Sequence, residues 1–462
     1  MWRISEMRTG LLTDLYHPDS AYISWRTGRN ELTTFDLYTR SAPFGGAYIL
    51  VAGLELALDF ARNFRYADED IAYLSEIRDY DERFLEELRH VRFTGEILAM
   101  PEGSVAFPNE PFVRITAPFR EALLLESGLL HALSVSSLIA TKAARIVQAA
   151  QGRSVAEFAF RRVQEPFLAA RSASIGGCSS TSFVAGARAY RLRATGTVPH
   201  AMVQLFETER ESFMATAESF NRYTLLLDTY NTERAIHTAV EVARDAQQRL
   251  GHTLAAVRLD SGDLLAVSRH CRRVLDEAGL SDVRIMGSGD LDEQKIAALV
   301  EQDAPIDGFG IGTILAGGAL GAVYKEVWYQ EKHVGKEARI KLAGAKTTWP
   351  GRKEVYRIGS YGGDVIQLES EPVPEGGTRL LRPVMVGGEL MPGSQPPISE
   401  IWELAQHSMA RLPDQYKALD STEPYPVRFS QALQDLRRSA SEHFRRGGES
   451  QASKQQGEPD SS

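Results

Sequence analysis

The sequence predicts an α/β protein whose central sheet is parallel. Three strand-like runs, residues 224–227, 254–259 and 283–286, each lead through a short loop into an amphipathic helix, and a weaker fourth run spans residues 306–309. Strand, loop and helix recur at roughly 22–32 residue intervals, which is typical of successive βα units. Such units require parallel strands, because each crossover helix returns the chain to the starting end of the sheet.

Each of the four predicted strands ends in a cluster of small, acidic or glycine residues. The clusters are Asp228-Thr229-Tyr230, Asp260-Ser261-Gly262-Asp263, Gly287-Ser288-Gly289-Asp290 and Gly310-Ile311-Gly312-Thr313. In parallel sheets the functional residues collect at the carboxyl ends of the strands, where these clusters lie. Carboxylates bind hydroxyl groups or Mg²⁺, and glycine-exposed backbone N–H groups bind phosphate. The pattern therefore favours an enzyme that acts on a phosphorylated sugar.

The overall composition is that of an ordinary globular protein. The chain has 462 residues, of which 43% are hydrophobic and 24% are charged, and its formal net charge is −9. This length is long for one domain and suits two or three. The acidic balance argues against a nucleic-acid partner, because general nucleic-acid binders are usually basic. An anionic substrate would have to be bound by a local cluster of arginines.

Cysteine usage and the N-terminal sequence predict a cytoplasmic protein. The two cysteines, Cys178 and Cys271, cannot form a disulfide framework and favour a reducing compartment. Residues 1–5 contain no apolar segment of the kind found in signal peptides. The most apolar predicted helix, residues 122–141, is interrupted by a glutamate and a histidine. We therefore expect a core helix there and no membrane span.

The segments on either side of the βα region predict a second, divided domain. Residues 1–130 combine helices with short strands interrupted by proline and glycine, and residues 331–446 are again rich in short strands before a final helix near 426–446. We expect these segments to form a flanking α/β sandwich domain, with an irregular βα barrel at residues 131–330. Residues 447–462 contain almost nothing apolar and are predicted to be a disordered tail.

Short motifs in a fixed order over about residues 8–440 resemble those of one enzyme family. They are Leu12-Thr13-Asp14-Leu15-Tyr16, Thr34-Phe35-Asp36-Leu37-Tyr38-Thr39-Arg40, Pro43-Phe44-Gly45-Gly46, Phe160-Arg161-Arg162-Val163-Gln164, Gly176-Gly177-Cys178-Ser179-Ser180-Thr181-Ser182, Gly196-Thr197-Val198-Pro199-His200, Val257-Arg258-Leu259-Asp260-Ser261-Gly262-Asp263, Ser288-Gly289-Asp290, Gly308-Phe309-Gly310-Ile311-Gly312-Thr313, Lys341-Leu342 and Thr348-Trp349-Pro350-Gly351. No single motif is diagnostic, but the ordered set is highly specific. On these motifs the sequence resembles the nicotinate phosphoribosyltransferases.

The resemblance implies a fold, a reaction and an assembly. The family has the type II phosphoribosyltransferase fold, an irregular α/β barrel with a sandwich domain, and is usually a homodimer with active sites at the interface. It transfers the phosphoribosyl group of phosphoribosyl pyrophosphate (PRPP) to nicotinate, which yields nicotinate mononucleotide and pyrophosphate on the route to NAD. ATP hydrolysis is coupled to the transfer. The expected ligands are therefore nicotinate, PRPP and ATP, with Mg²⁺ as the expected metal.

This transfer requires cations and carboxylates and has no need of a base. The pyridine nitrogen attacks with its lone pair and has no proton to lose, while pyrophosphate leaves a ribose carbon that gains positive charge. Arg161 and Arg258 fit the cationic role, because a guanidinium binds phosphate oxygens in pairs. Arg161 is preferred to Arg162, since neighbours on a strand point to opposite faces. Asp260, by resemblance, and Asp290 fit the ribose and Mg²⁺ role.

Backbone amides are expected to bind the phosphate groups of the substrate. By resemblance the amides of Gly312 and Thr313 hold the 5′-phosphate, since glycine lets the backbone approach an anion closely. Gly289 exposes the backbone beside Asp290 in the same way and is a further substrate-binding candidate. Asp263, in contrast, is expected to cap the helix that follows it.

The pyridine ring is expected to lie between aromatic side chains. Phe158 and Tyr16 are the stacking candidates, because a ring that becomes a cation gains from aromatic faces on both sides. In the resemblance the tyrosine comes from the partner subunit, and Arg40 crosses over likewise. Ser182 favours nicotinate, since the sister enzyme that uses nicotinamide carries an aspartate there, and a buried aspartate would repel the nicotinate carboxylate.

His200 matches the histidine that ATP phosphorylates in this family. Because the transfer needs no base, a histidine at this position is explained as a phosphoryl acceptor that couples ATP to the reaction. The family often reads Gly-Thr-small-Ala-His-Ser, whereas here Pro199 precedes and Ala201 follows the histidine. Cys178 and Phe183 also depart, in a segment that usually carries Phe-Asp and Asn. The tightness of ATP coupling is left open by these departures.

Two alternatives stay open on the sequence. One is the nicotinamide enzyme, and the other is a non-catalytic relative that binds ligand, for which the departures beside His200 are the support. A quinolinate enzyme fits poorly, because its decarboxylating site would need more basic groups. A dehydrogenase is disfavoured, since no Gly-x-Gly-x-x-Gly motif opens a helix after a first strand.

Overall fold

The computed structural model describes residues 10–331, 337–420 and 423–455, and for residues 446–455 it describes the backbone alone. Within these ranges the protein combines helices with both parallel and antiparallel sheets. None of the helices in this described part has the length and hydropathy that spanning a bilayer requires.

Two compact units make up the chain. One contains Met1–Leu138 and Ala319–Ser462, and the other is the continuous segment Ile139–Gly318. The sequence placed the corresponding boundaries near residues 130 and 330. The first observed boundary falls inside a helix, so this one element contributes residues to both units.

The first third of the chain combines six helices with five strands in its described part. Its elements are α1 (Tyr16–Arg26), β1 (Leu32–Thr39), β2 (Ile49–Leu50), α2 (Leu54–Asn63), α3 (Asp68–Ile77), α4 (Glu82–His90), β3 (Glu96–Ala99), β4 (Val105–Ala106), β5 (Val113–Pro118), α5 (Phe119–Leu124) and α6 (Glu126–Ala149). The boundary between the two units lies within α6.

Strands and helices then alternate along the second unit. They are β6 (Ser154–Glu157), α7 (Pro166–Ile175), β7 (Ser180–Thr181), α8 (Val184–Tyr190), α9 (His200–Gln204), α10 (Glu209–Ser219), β8 (Arg222–Leu226), α11 (Thr232–Leu250), β9 (Thr253–Leu259), α12 (Leu264–Glu277), β10 (Arg284–Gly287), α13 (Glu293–Glu301), β11 (Gly308–Ile311) and a 3-10 turn at Thr313–Ala316.

Short strands and three helices complete the first unit. They are β12 (Ala322–Tyr329), β13 (Lys353–Ile358), β14 (Asp364–Leu368), β15 (Gly377–Arg379), β16 (Arg382–Val386), β17 (Glu389–Leu390), α14 (Ile398–Arg411), α15 (Asp414–Lys417), β18 (Val427–Phe429) and α16 (Gln431–Gln455).

The unit built from both ends of the chain contains two main sheets. The larger one has the strand order β12-β1-β5-β3-β16-β17 with every pairing antiparallel, and the smaller one has the order β15-β13-β14-β18. Apolar side chains from both sheets and from α2 and α4 form one continuous core. A buried ion pair, Lys353 of β13 with Asp36 of β1 at 2.7 Å, joins the two sheets.

A six-stranded parallel sheet forms the centre of the second unit. Its order is β7-β6-β11-β10-β9-β8, and every pairing in it is parallel. Ile236, Val240 and Ala243 of α11 are buried, as the predicted apolar face requires. The predicted parallel sheet is thus confirmed. Because β6, β11, β10 and β9 are consecutive neighbours, the loops that follow them meet at one end of the sheet.

The strand pattern differs from the prediction at β11 and β6. β11 begins at Gly308, two residues later than expected, because Ile306 belongs to a tight turn in which its backbone N–H donates to the carbonyl oxygen of Ala304 at 2.8 Å. Asp307 instead completes the pairing with its side chain, whose Oδ2 accepts a hydrogen bond from the backbone N–H of Ile285 at 2.7 Å. β6 and β7 were not predicted, since strands of four and two residues carry too short an apolar pattern.

The C-terminal helix begins later than expected. α16 begins at Gln431 and not near residue 426, because β18 occupies Val427–Phe429 and pairs with β14. α16 extends as far as Gln455, and residues 456–462 lie outside the described residues, so the disorder expected for residues 447–462 stays a prediction.

The start of α13 is fixed by buried ion pairs. Glu293, the first residue of α13, is 1% exposed and accepts hydrogen bonds from Lys142 at 2.8 Å and from Arg145 at 3.1 Å, both on α6. The hydrogen bonds and positive charges of these residues hold the pKa of Glu293 below its ordinary value despite its burial, which by itself raises that pKa. The loop between β10 and α13, which contains Asp290, therefore has a rigid end.

Candidate active site

The loops after β6, β9, β10 and β11 line one cleft. Its lining residues are Phe158, Arg161, Arg162, Arg258, Asp260, Ser288, Gly289, Asp290, Gly310, Gly312 and Thr313. Most of the residues predicted for substrate binding are among them. A larger cleft in the other unit, lined by Ile23, Phe119 and Tyr329 among others, contains none of the predicted residues.

Arg258 is a fixed positive charge in the cleft. It lies on β9 and donates three side-chain hydrogen bonds, from Nε to Oγ of Ser288 at 2.7 Å, from Nη1 to Oγ1 of Thr197 at 2.8 Å and from Nη2 to Oδ1 of Asp260 at 2.6 Å. Its guanidinium carbon lies 5.8 Å from the centroid of the Phe158 ring. Arg258 thus connects the predicted ribose carboxylate with the predicted aromatic platform.

Asp260 is stabilised as a carboxylate by its neighbours. Partial burial by itself raises the pKa of this carboxyl, but the hydrogen bond from Ser288 and the charge of Arg258 outweigh burial and lower the pKa below its ordinary value. The backbone N–H of Asp260 donates to Oδ2 of Asp228 at 3.2 Å, which fixes the start of the loop. The cleft therefore holds an ionised carboxylate, which can bind a ribose hydroxyl or face a developing positive charge.

Phe158 is placed by the glycines of β11 and its loop. The backbone N–H of Phe158 donates to the carbonyl oxygen of Ile311 at 2.6 Å. A Cβ on Gly310 would lie 2.4 Å from the Phe158 ring, and a Cβ on Gly312 would lie 3.0 Å from its carbonyl oxygen. A side chain at residue 310 would displace the ring, and one at residue 312 would press on the backbone of Phe158, so both glycines serve the position of Phe158.

Both Arg161 and Arg162 line the cleft, so the expectation that the two side chains point to opposite faces of a strand is wrong. They lie in a turn after β6 and not on a strand, and the backbone N–H of Arg162 donates to the carbonyl oxygen of Ala159 at 2.7 Å. Consecutive side chains in a turn are not forced to opposite faces as they are in a strand. The cleft thus gains two exposed cations, which suits a highly anionic ligand.

The loops after β9 and β10 approach each other at Gly289. Its φ of +92° lies in the left-handed region, and a Cβ there would lie 2.1 Å from the carbonyl oxygen of Asp260. The neighbouring Asp290 accepts a hydrogen bond on Oδ1 from Oγ1 of Thr313 at 3.4 Å, and its carbonyl oxygen accepts one from Nζ of Lys295 at 2.6 Å. Only glycine fits this close approach of two backbones.

His200 reaches Asp260 from α9, of which it is the first residue. Nδ1 of His200 lies 3.1 Å from Oγ1 of Thr229, and Nε2 lies 3.9 Å from Oδ2 of Asp260. The preceding Pro199 has a φ of −82°, which is close to the value that the proline ring imposes. The departure at Pro199 therefore does not turn His200 away from the cleft residues.

Three predicted substrate-binding residues are not among the cleft lining. Ser182 follows β7, and its backbone N–H donates to the carbonyl oxygen of Glu157 at 2.8 Å. Tyr16, 53% exposed, begins α1, and Arg40 follows β1, so both belong to the other unit. The expected place of Tyr16 and Arg40 in the active site of a partner subunit stays a prediction. Asp263, in contrast, caps α12 as predicted, with its side chain accepting from Leu265 and Ala266.

The cleft contains two hard oxygen ligands for a cation, Asp260 and Asp290. In the part of the chain that the structure describes, no group of three or more histidine, cysteine or acidic side chains could hold a metal ion. Mg²⁺ usually keeps several waters and is bound by one or two carboxylates together with substrate phosphates. The two carboxylates fit a Mg²⁺ ion that enters with a phosphorylated ligand.

Sequence reasoning missed the hydroxyl groups that orient the charged residues. Thr197, Thr229 and Ser288 hydrogen-bond to Arg258 or His200, although in the sequence they stand out only as members of a motif or of a cluster after a strand. A partly buried arginine needs acceptors, and hydroxyl residues at neighbouring strand ends were the available signal.

A parallel sheet with arginines, two carboxylates and glycine-exposed backbone at the carboxyl ends of its strands defines an α/β enzyme of the phosphoribosyltransferase class. Family models for the N-terminal domain of nicotinate phosphoribosyltransferase, for the family itself and for its C-terminal domain match residues 11–134, 153–319 and 377–437. The chain belongs to the nicotinate phosphoribosyltransferase family. It functions as a nicotinate phosphoribosyltransferase.

Relatives and solved structures agree with this membership. The chain is 38% identical over 436 residues to a nicotinate phosphoribosyltransferase of Mycobacterium tuberculosis, covering 92% of each chain, and 38% identical over 458 residues to that of Bacillus subtilis, covering 91% and 93%. The crystal structure of the human enzyme superposes with a TM-score of 0.83 at 31% identity, over 93% of this chain and all of that one. The crystal structure of a nicotinate-nucleotide pyrophosphorylase from Pyrococcus furiosus superposes with a TM-score of 0.73 at 25% identity. The superposition covers 87% of this chain and 96% of that one.

Replacing Gly289 by alanine is expected to lower kcat/KM about 10-fold or more, because the new Cβ must push the loop of Asp290 away from Asp260. Steady-state kinetics with circular dichroism of the folded protein would measure this. Gly279→Ala is the matched control, since Gly279 also has a positive φ, +75°, but nothing lies within 4 Å of a Cβ there. Equal kinetics in the two variants would contradict the prediction.

Proposed function

We propose that the protein forms nicotinate mononucleotide and pyrophosphate from nicotinate and PRPP, and that ATP hydrolysis is coupled to this transfer through His200. The observation that carries the proposal is the grouping of Arg258, Asp260 and Phe158 in one cleft, with Arg258 bonded to Asp260 and above the Phe158 ring. This grouping offers a cation for the leaving group, a carboxylate for the ribose and an aromatic face for the pyridine.

The transfer proceeds without a base. The lone pair of the pyridine nitrogen forms a bond to C1 of the ribose, the bond from C1 to pyrophosphate breaks, and the ring becomes a pyridinium. Asp260, kept ionised by Ser288 and Arg258, stabilises the positive charge that develops on the ribose. Arg161, Arg162 and Arg258 stabilise the leaving pyrophosphate.

Mg²⁺ and the phosphate groups are assigned to the rest of the cleft. Asp260 and Asp290 would hold Mg²⁺ together with the phosphates of PRPP. When bound, the ion neutralises charge that builds up on the leaving group. The backbone of Gly289, Gly312 and Thr313 faces the same cleft and is assigned to phosphate oxygens, with Gly312 and Thr313 on the 5′-phosphate.

The second face of the pyridine is assigned to a partner subunit. We propose a homodimer in which Tyr16 of each subunit stacks on the ring bound by the other, with Arg40 crossing in the same way. The exposure of the Tyr16 side chain in the single chain, 53%, supports this role, since a stacking residue must be available to another molecule. We further propose that the enzyme works in the cytoplasm, because its two cysteines are both free and buried.

The coupling to ATP is assigned to Nε2 of His200. With Nδ1 hydrogen-bonded to Thr229, the tautomer that donates from Nδ1 leaves the lone pair on Nε2. That lone pair can attack the γ-phosphorus of ATP, so that a nitrogen–phosphorus bond forms and ADP leaves. Nε2 lies 3.9 Å from Oδ2 of Asp260, which places the phosphoryl group beside the ribose site.

Nicotinate is expected to outcompete nicotinamide by a large factor in kcat/KM, because the segment that reads the pyridine substituent carries Ser182 and no aspartate there. Formation of each mononucleotide from PRPP, with and without ATP, measures the ratio. Ser182→Asp is expected to raise the KM for nicotinate on the order of 10-fold more than the KM for nicotinamide, through repulsion between carboxylates.

Ser281→Asp serves as the control for this substitution, since it adds the same charge at an exposed loop of the same unit. Equal or better use of nicotinamide by the wild type would overturn the assignment of the substrate. A wild type that forms neither product with ATP present would identify a non-catalytic, ligand-binding relative.

A further inference from the structure

Glu157, the last residue of β6, connects the two segments that carry Phe158 and Ser182. One carboxylate oxygen, Oε1, accepts a hydrogen bond from the backbone N–H of Ala159, immediately after Phe158. The other, Oε2, accepts from the hydroxyl of Thr181, immediately before Ser182. The carbonyl oxygen of Glu157 accepts from the backbone N–H of Ser182 at 2.8 Å. A single residue thus contacts both segments through three acceptors.

Thr181 extends this connection across the turn after β7. Its Oγ1 donates to Glu157 and accepts from the backbone N–H of Phe183 at 3.0 Å. Ser182 is therefore fixed on both sides, by Thr181 before it and by Phe183 after it. Phe158 is fixed by two hydrogen bonds. Its backbone N–H donates to the carbonyl oxygen of Ile311, and the backbone N–H of the next residue, Ala159, donates to the carboxylate of Glu157.

The energetics of this position argue for a role beyond filling space. Glu157 is 1% exposed, and burial raises the pKa of its carboxyl above the ordinary value, which the hydrogen bonds from Thr181 and Ala159 offset only in part. A buried carboxyl is costly unless it is hydrogen-bonded, and an apolar residue would pack there at less cost. An apolar residue, however, could not accept hydrogen bonds from the two loops and would leave them unconnected.

We propose that Glu157 is a positioning residue for pyridine recognition, which sets the distance between the Phe158 ring and Ser182 by bonding to both segments. The ligand concerned is the pyridine carboxylate of the proposed reaction, so this inference rests on the roles proposed above for Phe158 and Ser182. Loosening the connection separates the aromatic face from the group that reads the carboxylate, while the arginines and carboxylates that bind PRPP keep their own contacts.

Thr181→Val and Glu157→Gln test the connection while preserving shape. Thr181→Val removes the hydroxyl that donates to Oε2, and Glu157→Gln replaces the carboxylate that accepts from it by an amide whose NH2 group can only donate. Each is expected to raise the KM for nicotinate roughly 10-fold, with the KM for PRPP within about twofold of wild type. The double variant should be no worse than the poorer single one, since both substitutions break the same link. Glu157→Ala, which breaks the bond to Ala159 as well, should be more impaired than Glu157→Gln.

Glu293→Gln is the matched control, since Glu293 is equally buried in the same unit but is bonded to Lys142 and Arg145. It is expected to lower the melting temperature without a selective rise in the KM for nicotinate. A loss of kcat in the Glu157 and Thr181 variants with an unchanged KM for nicotinate, or additive effects in the double variant, would overturn the proposal. The wild type is measured in the same assay, so a failure of the proposed function itself would show there first.

Discussion

Replacing Arg258 by alanine or Asp260 by asparagine is expected to lower kcat/KM by on the order of 10²-fold or more, the usual effect of losing one preorganised electrostatic group. Arg258→Ala removes the donor of three hydrogen bonds and leaves the carboxylate of Asp260 without its cation. Asp260→Asn keeps the shape of the side chain but removes the charge opposite the developing positive ribose. Steady-state kinetics with nicotinate and PRPP would measure both losses.

Asp263→Asn is the control for these variants. It makes the same substitution three residues from Asp260, at a side chain that caps α12, and asparagine is an equally good capping residue. Its kinetics should therefore match the wild type. Near-wild-type activity of both Arg258→Ala and Asp260→Asn, with folding intact by circular dichroism, would refute the roles of these two residues.

Incubation of the wild type with γ-labelled ATP is expected to leave acid-labile, base-stable phosphate on the protein, and His200→Ala should abolish this label. The variant should also lose stimulation by ATP while it retains some ATP-independent transfer, because the cleft that binds PRPP and the pyridine is unchanged. The physical reason is that the pyridine has no proton to remove, so His200 acts on ATP and not on the substrate. Product formation with and without ATP, beside the label, measures both effects.

His237→Ala is the control for the label, since His237 is an exposed histidine on α11 in the same unit. It should be labelled as the wild type is. General-base catalysis by His200 predicts a different result, with no label in the wild type and complete loss of transfer in His200→Ala whether ATP is present or not. A labelled His200→Ala variant would place the phosphoryl acceptor elsewhere.

The sequence predicted the centre of the fold better than its edges, for a physical reason. β9, with Val257 and Leu259 fully buried, has a long apolar run and a helix after it, so its place in a parallel sheet follows from the pattern. β6 has four residues and begins with an exposed serine, and its existence depends on pairing with β7 and β11. A strand defined by its neighbours in space leaves little trace in its own sequence.

In the candidate site, too, residues with a local sequence signal could be predicted, and residues that depend on neighbours in space could not. Asp260 and Asp290 were found because acidic residues in the loops just after strands are recognisable along the chain. The hydroxyl partners of Arg258 were not found, because Thr197 and Ser288 lie far from it in sequence and meet it only when the sheet is formed. The turn that brings both Arg161 and Arg162 into the cleft likewise follows from the short length of β6.

The pairing of β1 with β12 has a consequence for the synthesis of the protein. Thr33 pairs with Tyr329, so β1 leaves the ribosome about 300 residues before its partner strand, a delay on the order of tens of seconds at usual rates of translation. β5 can pair with one side of β1 early, but the other side stays an open strand edge, which invites association between nascent chains. The continuous segment Ile139–Gly318 contains all six strands of its own sheet and has no such delay. Slow translation therefore endangers the divided unit first.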